Sequence, residues 1–479
     1  MDRSVAQGPS RDPWPGPGEG DAPGKPWASI ALGLALALLV VVVDRAIQVE
    51  RFYDHFVWQA AAFLEGQAGI RYPVLASADR PGNWFFQDVL PIASPDGVSR
   101  ALIPFPPLPA IVLVPFVAVF GMTVDDQLVF TLIAGSDVAL CWWMLGRLRV
   151  SGRTRLLTTI FFAFGTVFWY AAEVATTWYQ AHIVAVGLSL AATGLALAPA
   201  GERGHGPGRR VDRRGLAAGL LIGLAATARL TVILAVPFFL LVGPRLGRGA
   251  WRGSVLIGAA IPVAALLAYN VATTGQVFHP AYDHLYQLEA RAYHALGYRT
   301  DWAAEDPRYV PQNLAIMLAS APEILPDHLR DTLGTMDTPL CTAPGAGRGL
   351  FDLDCPLAVP RDIGMSVLLT SPAFLLMIPA VTTRRRRRLV AAAASAIVLV
   401  SLVNLAHFSQ GWVQFGYRFS NDVIPFALVL VALGIDQWTT RDDGGRPEHR
   451  LHMGLTVALI GLSVAINAWG IAWSRILGW

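Results

Sequence analysis

The feature that most constrains this chain is a succession of long apolar runs separated by charged or Pro/Gly-rich connections. The clear ones are Trp27–Val43, Gln127–Gly146, Leu156–Ala172, Thr177–Ala198, Leu216–Val242, Val255–Ala272, Ile363–Val381, Leu389–His407, Asn421–Trp438 and Met453–Trp473. A helix needs about 20 mostly apolar residues to cross roughly 30 Å of hydrocarbon, and these runs have that length. A hydrophobic fraction of 54%, a charged fraction of 15% and a mean hydropathy of +0.47 do not suit a soluble globule. The expected fold class is therefore an all-α polytopic membrane protein with about 10–12 transmembrane helices. The net charge of +3 is small and the basic residues fall in loops, which gives nucleic-acid binding no support. No internal repeat and no Walker or Gly-rich phosphate loop stands in the sequence, which disfavours ATP-driven transport.

The first 26 residues are rich in Pro, Gly and polar groups and read as a disordered cytoplasmic tail. The apolar run behind them is followed by Asp44, Arg45 and Ala46 rather than by a small-residue cleavage site, so it reads as a retained span. Lys and Arg in short loops set the orientation. The run Arg384–Arg388 and the basic loops Arg147–Arg155, Arg203–Arg214 and Arg245–Arg252 are expected on the cytoplasmic side. Between the last two loops, Leu216–Val242 has to cross twice, turning near Arg229 close to the outer face. The remainder, 27–479, then forms one transmembrane domain with external loops at 44–126, 273–362 and 407–420. Ala101–Gly121 has no room to cross in this scheme. Its prolines Pro104, Pro106, Pro107, Pro109 and Pro115 break a continuous helix, and it is expected as a re-entrant or membrane-lying segment, an ordinary crossing being the alternative.

Two cysteines bear on sidedness. Cys341 and Cys355 flank a stretch containing Pro344, Gly345, Gly347 and Gly349 within an external loop, where a disulfide persists. Closing that loop stabilises the fold by about 3 kcal/mol in the chain-entropy account. Cys141 lies inside a span and is expected to pack as a small apolar residue, and the spacing does not suit zinc.

The stretch Arg51–Gly66, RFYDHFVWQAAAFLEG, places a carboxylate, Asp54, and His55 just behind the first span. Its pattern of Asp54, Trp58, Ala60, Phe63, Leu64 and Gly66 resembles the first external loop of the GT-C superfamily of integral-membrane glycosyltransferases. Further stretches are similar to that superfamily in the same order along the chain: IPFPPLPAIVLVPFVAVFG, GLAAGLLIGLAATARLTVILAVP, YNVATTGQVFHPAY and QFGYRFSNDVIPF. The resemblance implies a GT-C-like fold with extracytoplasmic loops. It implies transfer of a hexosyl or pentosyl group from a polyprenyl-phosphate-linked donor to an extracytoplasmic acceptor. That acceptor is expected to be a cell-envelope glycan, a lipid or a protein, and the Ala/Gly/Arg-rich usage suits a bacterial cytoplasmic membrane. A polytopic transporter or glycolipid flippase, and a GT-C-like assembly subunit without catalysis, are the competing readings; a transporter more often shows paired hydropathy repeats.

Direct displacement at an anomeric carbon needs a base for the acceptor proton and a cation for the leaving phosphate. Asp54 matches the position of the superfamily's catalytic acid, with a helix-capping role as its bland alternative, and His55 either assists or orients it. Asp44 competes as base: ten residues earlier, it falls on the same side of a continuous helix, close to three turns away. The second acid that the resemblance implies falls on Glu173 in WYAAEVATTWYQAH, with Trp178 and Tyr179 near where an Asp is usual. This departure leaves a divalent metal possible and no cofactor certain. His182 in the same stretch is a further candidate. For the donor phosphate, Arg418 comes first and Arg229 second, since an arginine at the membrane boundary forms paired charge-assisted bonds to phosphate oxygens. Tyr417 adds a hydroxyl. In the long loop, His279, Tyr282, Asp283 and His284 are dense enough to line an acceptor or sugar site.

Overall fold

The structure is a computed structural model that describes residues 26–77, 81–93, 97–197, 211–243, 248–382, 386–439 and 447–479. The expected disordered tail, most of the Arg203–Arg214 loop and parts of the Arg245–Arg252 and Arg384–Arg388 stretches lie outside the described residues.

Among the described residues, seven helices are long and apolar enough to cross a membrane. They are built on α1 (Pro26–Ile47), α4 (Asp126–Arg147), α7 (Thr177–Ala196), α10 (Arg248–Thr274), α15 (Arg387–Ala406), α16 (Ile424–Thr439) and α17 (Pro447–Ile476). An eighth is formed if α5 (Gly152–Phe164) and α6 (Val167–Val174) count as one span bent by 50°. The bend falls at Gly165, after which the Thr166 side chain caps α6 by accepting from the Phe168 amide. The remaining expected spans are shorter and broken. Leu216–Val242 divides into α8 (Arg213–Ala226) and, past a break at Thr227–Arg229 and a 3-10 turn, α9 (Val236–Val242). Ile363–Val381 divides into α13 (Val367–Thr370), a 3-10 turn opened by Pro372, and α14 (Met377–Thr382). Proline explains the second break by removing a backbone donor and clashing with the turn before it. The Pro-rich stretch after residue 101 yields only α3 (Leu108–Phe120), with Pro115 inside it.

Burial orders the bundle. The span containing α16 is 94% buried and α7 83%, whereas α1 is 17% and α10 and α17 are each 33% buried. The exposed faces of α1 and α10 are still apolar, carrying Leu34, Leu38, Ile257 and Ile261. A helix apolar all round with half its surface uncovered is what a lipid-facing position demands. Where α8 crosses α10, Gly219, Gly223 and Gly258 leave no space for a side chain: a Cβ on any of them would run into the backbone of the facing helix. Small residues thus let two backbones approach closely.

The structure is mostly helical, and the loops expected to be external carry short strands beside their helices. After α2 (His55–Leu64), three short strands, β1 (Ile70–Arg71), β2 (Leu90–Ile92) and β3 (Arg100–Leu102), form an antiparallel sheet in the order β1-β3-β2. Asn83 pins the intervening loop, accepting from the Val74 amide at 2.8 Å and donating to the Arg71 carbonyl at 2.8 Å. The long loop after α10 contains α11 (Pro280–Ala292) and α12 (Val310–Ala319). It also holds the two-stranded pairs β4 (Glu323–Ile324) with β7 (Ala358–Val359) and β5 (His328–Arg330) with β6 (Asp337–Pro339). Cys341 and Cys355 are joined by a disulfide in this loop, and Cys141 is buried and free. Trp473 of α17 ties the bundle to the disulfide loop by donating to the Leu350 carbonyl at 3.1 Å.

Candidate active site

Asp54 occupies the N-cap position of α2, yet its side chain makes no capping bond. Its Oδ1 is buried without a partner, while Trp58 lies close enough to the carboxylate to oppose part of the effect of burial. Burial, reinforced by the charge of Asp126, pushes its pKa up to about 7. Asp126 opens α4, where the neighbouring Asp125 serves as the cap by accepting from the Leu128 amide at 2.8 Å. Asp126 itself accepts from Gln180 Nε2 at 2.5 Å, and Gln180 is fixed by a second bond to the Ala175 carbonyl at 2.9 Å. The acid beside Asp54 is thus Asp126. Sequence reasoning missed it because an Asp-Asp pair at the start of an apolar run reads as a helix cap.

The other acid candidates sit apart from this pair. α1 ends at Ile47 and residues 48–54 are irregular, so no continuous helix aligns Asp44 with Asp54. Asp44 accepts from Trp169 Nε1 at 3.0 Å and interacts electrostatically with Glu173. Glu173 is fully buried, neither carboxylate oxygen has a hydrogen-bond partner, and Arg51 and Arg475 are its charged neighbours. The hydrogen bonds of His55 go to Thr177 rather than to the carboxylate of Asp54. Its Nδ1 pairs with Thr177 Oγ1 at 3.1 Å, and its ring stacks on Phe86 with centroids 3.7 Å apart. Complete burial lowers its pKa to about 3, which keeps it neutral.

The cationic half of the site gathers at the start of the span containing α16. Arg229, in the break after α8, grips Asp422 with Nε to Oδ1 at 3.2 Å and Nη2 to Oδ2 at 3.0 Å. The same carboxylate is held by His182 Nδ1 at 2.9 Å, Thr231 Oγ1 at 3.1 Å and Asn404 Nδ2 at 3.0 Å. Asp422 was present in the QFGYRFSNDVIPF stretch but drew no role from sequence, because nothing local says that Arg229, 193 residues away, is its partner. His182 accordingly belongs to this network. Arg418 has a different environment. Its Nε is buried without a hydrogen-bond partner, and its guanidinium lies 5.6 Å from the Tyr179 ring centre and 5.5 Å from that of Phe419. Arg229 lies 5.1 Å from the same Phe419 ring. Gly411, at φ +85°, makes room for it, since a Cβ there would fall 2.6 Å from Arg418 Nε. The Tyr417 hydroxyl is buried, unpartnered and close enough to Arg229 and Asp422 to interact with their charges.

Of the long-loop cluster, Asp283 and His284 are exposed on α11 and do not face the site. Tyr282 does: its hydroxyl pairs with His407 Nε2 at 2.8 Å, and His407 Nδ1 lies 3.3 Å from Glu305 Oε1. His279 is half-buried, with an unpartnered Nδ1 and a pKa lowered by burial to about 4. Two further acids, Asp88 and Glu289, feel the charge of Arg418 and were not found from sequence, since neither belongs to a recognisable local pattern.

No group of three or more His, Cys, Asp or Glu that could hold a metal ion exists among the described residues. A divalent ion near Asp54 would have Asp54 and Asp126 as its carboxylate ligands. An apolar cavity of about 240 Å³ runs from Tyr417, Asn404 and Phe419 to Phe374, Met377 and Ile397. A second, of about 350 Å³, lies between Phe63 of α2, Leu108 and Ile111 of α3, and Leu224 and Leu266.

No family model matches the chain, and no curated protein matches it. Two solved structures match it over most of its length. The Archaeoglobus fulgidus oligosaccharyltransferase in its apo form is similar over 93% of this chain, with a TM-score of 0.46 and 12% identity. The chain spans 56% of that protein's length. ArnT from Cupriavidus metallidurans, solved bound to undecaprenyl phosphate, is similar over 94% of this chain and 75% of its own, with a TM-score of 0.46 and 14% identity.

Proposed function

We propose that this chain is a GT-C type glycosyltransferase that moves a hexosyl or pentosyl group from a polyprenyl-phosphate donor to an extracytoplasmic acceptor, with inversion at the anomeric carbon. The observation that carries the reading is Arg418, an arginine with a buried, unpartnered Nε at the start of a membrane span. A guanidinium held without an acceptor is prepared for an anion, and phosphate oxygens match its fork. Arg229 is already paired with Asp422 and adds a shaped electropositive neighbour rather than a free fork, with the Tyr417 hydroxyl beside it. The apolar cavity that begins at Tyr417 and Phe419 offers the hydrocarbon tail of such a donor a place next to the phosphate site.

In this reading Asp54 takes the proton of the attacking acceptor hydroxyl, and Arg418 stabilises the charge that develops on the departing phosphate. A buried carboxylate whose pKa sits near 7 is suited to that exchange. The acceptor oxygen forms its bond to the anomeric carbon as the bond to the phosphate oxygen breaks, and polyprenyl phosphate leaves. The test is Asp54→Asn in purified protein supplied with a polyprenyl-phosphate sugar: undiminished transfer removes Asp54 as base. A wild type that never releases polyprenyl phosphate in a sugar-dependent way supports the transporter or assembly-subunit reading instead. A product spectrum retaining the donor's anomeric configuration overturns inversion.

A further inference from the structure

We infer that Asp88 and Glu289, the second held over the site by α11, form the subsite for the donor's sugar ring; the inference rests on the glycosyltransferase reading above. Asp88 lies two residues before β2 and is 7% exposed. Its Oδ2 accepts from Trp178 Nε1 at 2.8 Å, and its Oδ1 has no hydrogen-bond partner among the described residues. Glu289 lies seven residues after Tyr282 and four before Tyr293, so all three share one face of the α11 turn pattern. Tyr282 and Tyr293 anchor that face inward, Tyr293 through a 3.4 Å bond from its hydroxyl to Gln87 Oε1, next to Asp88. Glu289 is close enough to both Asp88 and Arg418 to interact with their charges. Flat rings surround the pair: Tyr53 lies 5.0 Å from Trp178, and Tyr293 lies 5.4 Å from Trp412, centre to centre.

Two carboxyl groups among aromatic faces suit a hydroxyl-rich ring, whose O–H groups need acceptors while its C–H faces pack on flat apolar surfaces. The position selects the donor's ring rather than the acceptor's. Arg418 is the phosphate-binding cation of the proposed function, a single oxygen joins that phosphate to the sugar, and Arg418 is the charged group that neighbours both acids. Burial also gives the two acids complementary roles near neutrality. Asp88, raised to about 6 by burial against the opposing Trp178 bond and Arg418 charge, is mostly an acceptor. Glu289, raised to about 8 by burial and by Asp88, with Arg418 opposing, keeps a proton to donate.

The test compares binding of bare undecaprenyl phosphate with that of the same lipid phosphate carrying glucose, mannose, galactose or arabinose, on the purified full chain. Wild type is expected to bind at least one glycosylated lipid more tightly than the bare one. Asp88→Asn and Glu289→Gln are expected to weaken that lipid tenfold or more and to leave the bare lipid within twofold, which also reports that the variants fold. Equal weakening of both lipids, no weakening of either, or a wild type that prefers no glycosylated lipid overturns the inference. A rise confined to the acceptor KM does so too. Sugar-selective binding that Asp88→Asn abolishes, in a protein that transfers nothing, removes the glycosyltransferase reading and leaves the subsite standing.

Discussion

Replacing Asp422 by Ala is expected to destabilise the protein by about 3–5 kcal/mol, the cost of leaving a buried charge without its partner. The carboxylate is 2% exposed and receives bonds from His182, Arg229, Thr231 and Asn404, at distances from 2.9 to 3.2 Å. Its removal orphans one guanidinium and three neutral donors; each neutral group left unpaired costs roughly 1–3 kcal/mol by itself. The sum is not reached, because the Arg229 side chain keeps 23% exposure and regains water on one side. A second variant separates charge from packing. Arg229→Met with Asp422→Leu removes both ions and fills the space, so it should be less damaging than Asp422→Ala alone, with a coupling energy of about 2 kcal/mol or more. Reversible unfolding in mixed micelles measures both. An Asp422→Ala loss below about 1 kcal/mol, or strictly additive single and double variants, refutes the argument that this carboxylate is a saturated structural hub.

Transfer should rise with pH through about 7, because the base works only when ionised and burial has moved Asp54 to that range. A kcat/KM profile with no limb there counts against Asp54, and Asp54→Asn should cost about 10²- to 10⁴-fold, the usual share of general-base catalysis. His55 is held neutral in the folded state at a pKa near 3, while an unfolded His titrates near 6.5. The unfolded chain therefore binds the extra proton as pH falls from about 6.5 toward 3, and stability drops in that window. His55→Phe, which keeps the stack on Phe86, should lessen the difference in melting temperature between pH 5 and pH 7; an unchanged difference shows that His55 is not the cause. Replacing Cys341 and Cys355 with Ser opens a short loop and should cost about 3 kcal/mol, read as a lower melting temperature that added reductant no longer changes.

Much of the architecture was legible because lipid imposes it: apolar runs of span length, interrupted by proline where the helices actually break. The short α3 and the break at Pro372 both follow from that rule, whereas the break at Thr227–Arg229 contains no proline. The count of full-length spans was less legible, since a run such as Ile363–Val381 has the right hydropathy but carries Pro372 and Pro379. Site residues divided by the range of their partners. Asp54 and Arg418 could be singled out from local patterns, whereas Asp126, Asp422, Asp88 and Glu289 take their meaning from groups far along the chain. His55 shows the opposite error: proximity in sequence to an acid suggested partnership, and packing gave it Thr177 instead.

The bond from His182 to Asp422 spans 240 residues, and the matching bond from Arg229 spans 193. A chain emerging from the ribosome and entering the bilayer segment by segment therefore carries Arg229 and His182 for a long interval without the anion that satisfies them. Until the segment around Asp422 inserts, the nascent protein holds an exposed cation where it will later hold a closed network. Synthesis halted before that segment should leave a membrane-embedded intermediate that attracts anionic lipid or assembly factors, and whose cationic site is completed only when Asp422 arrives.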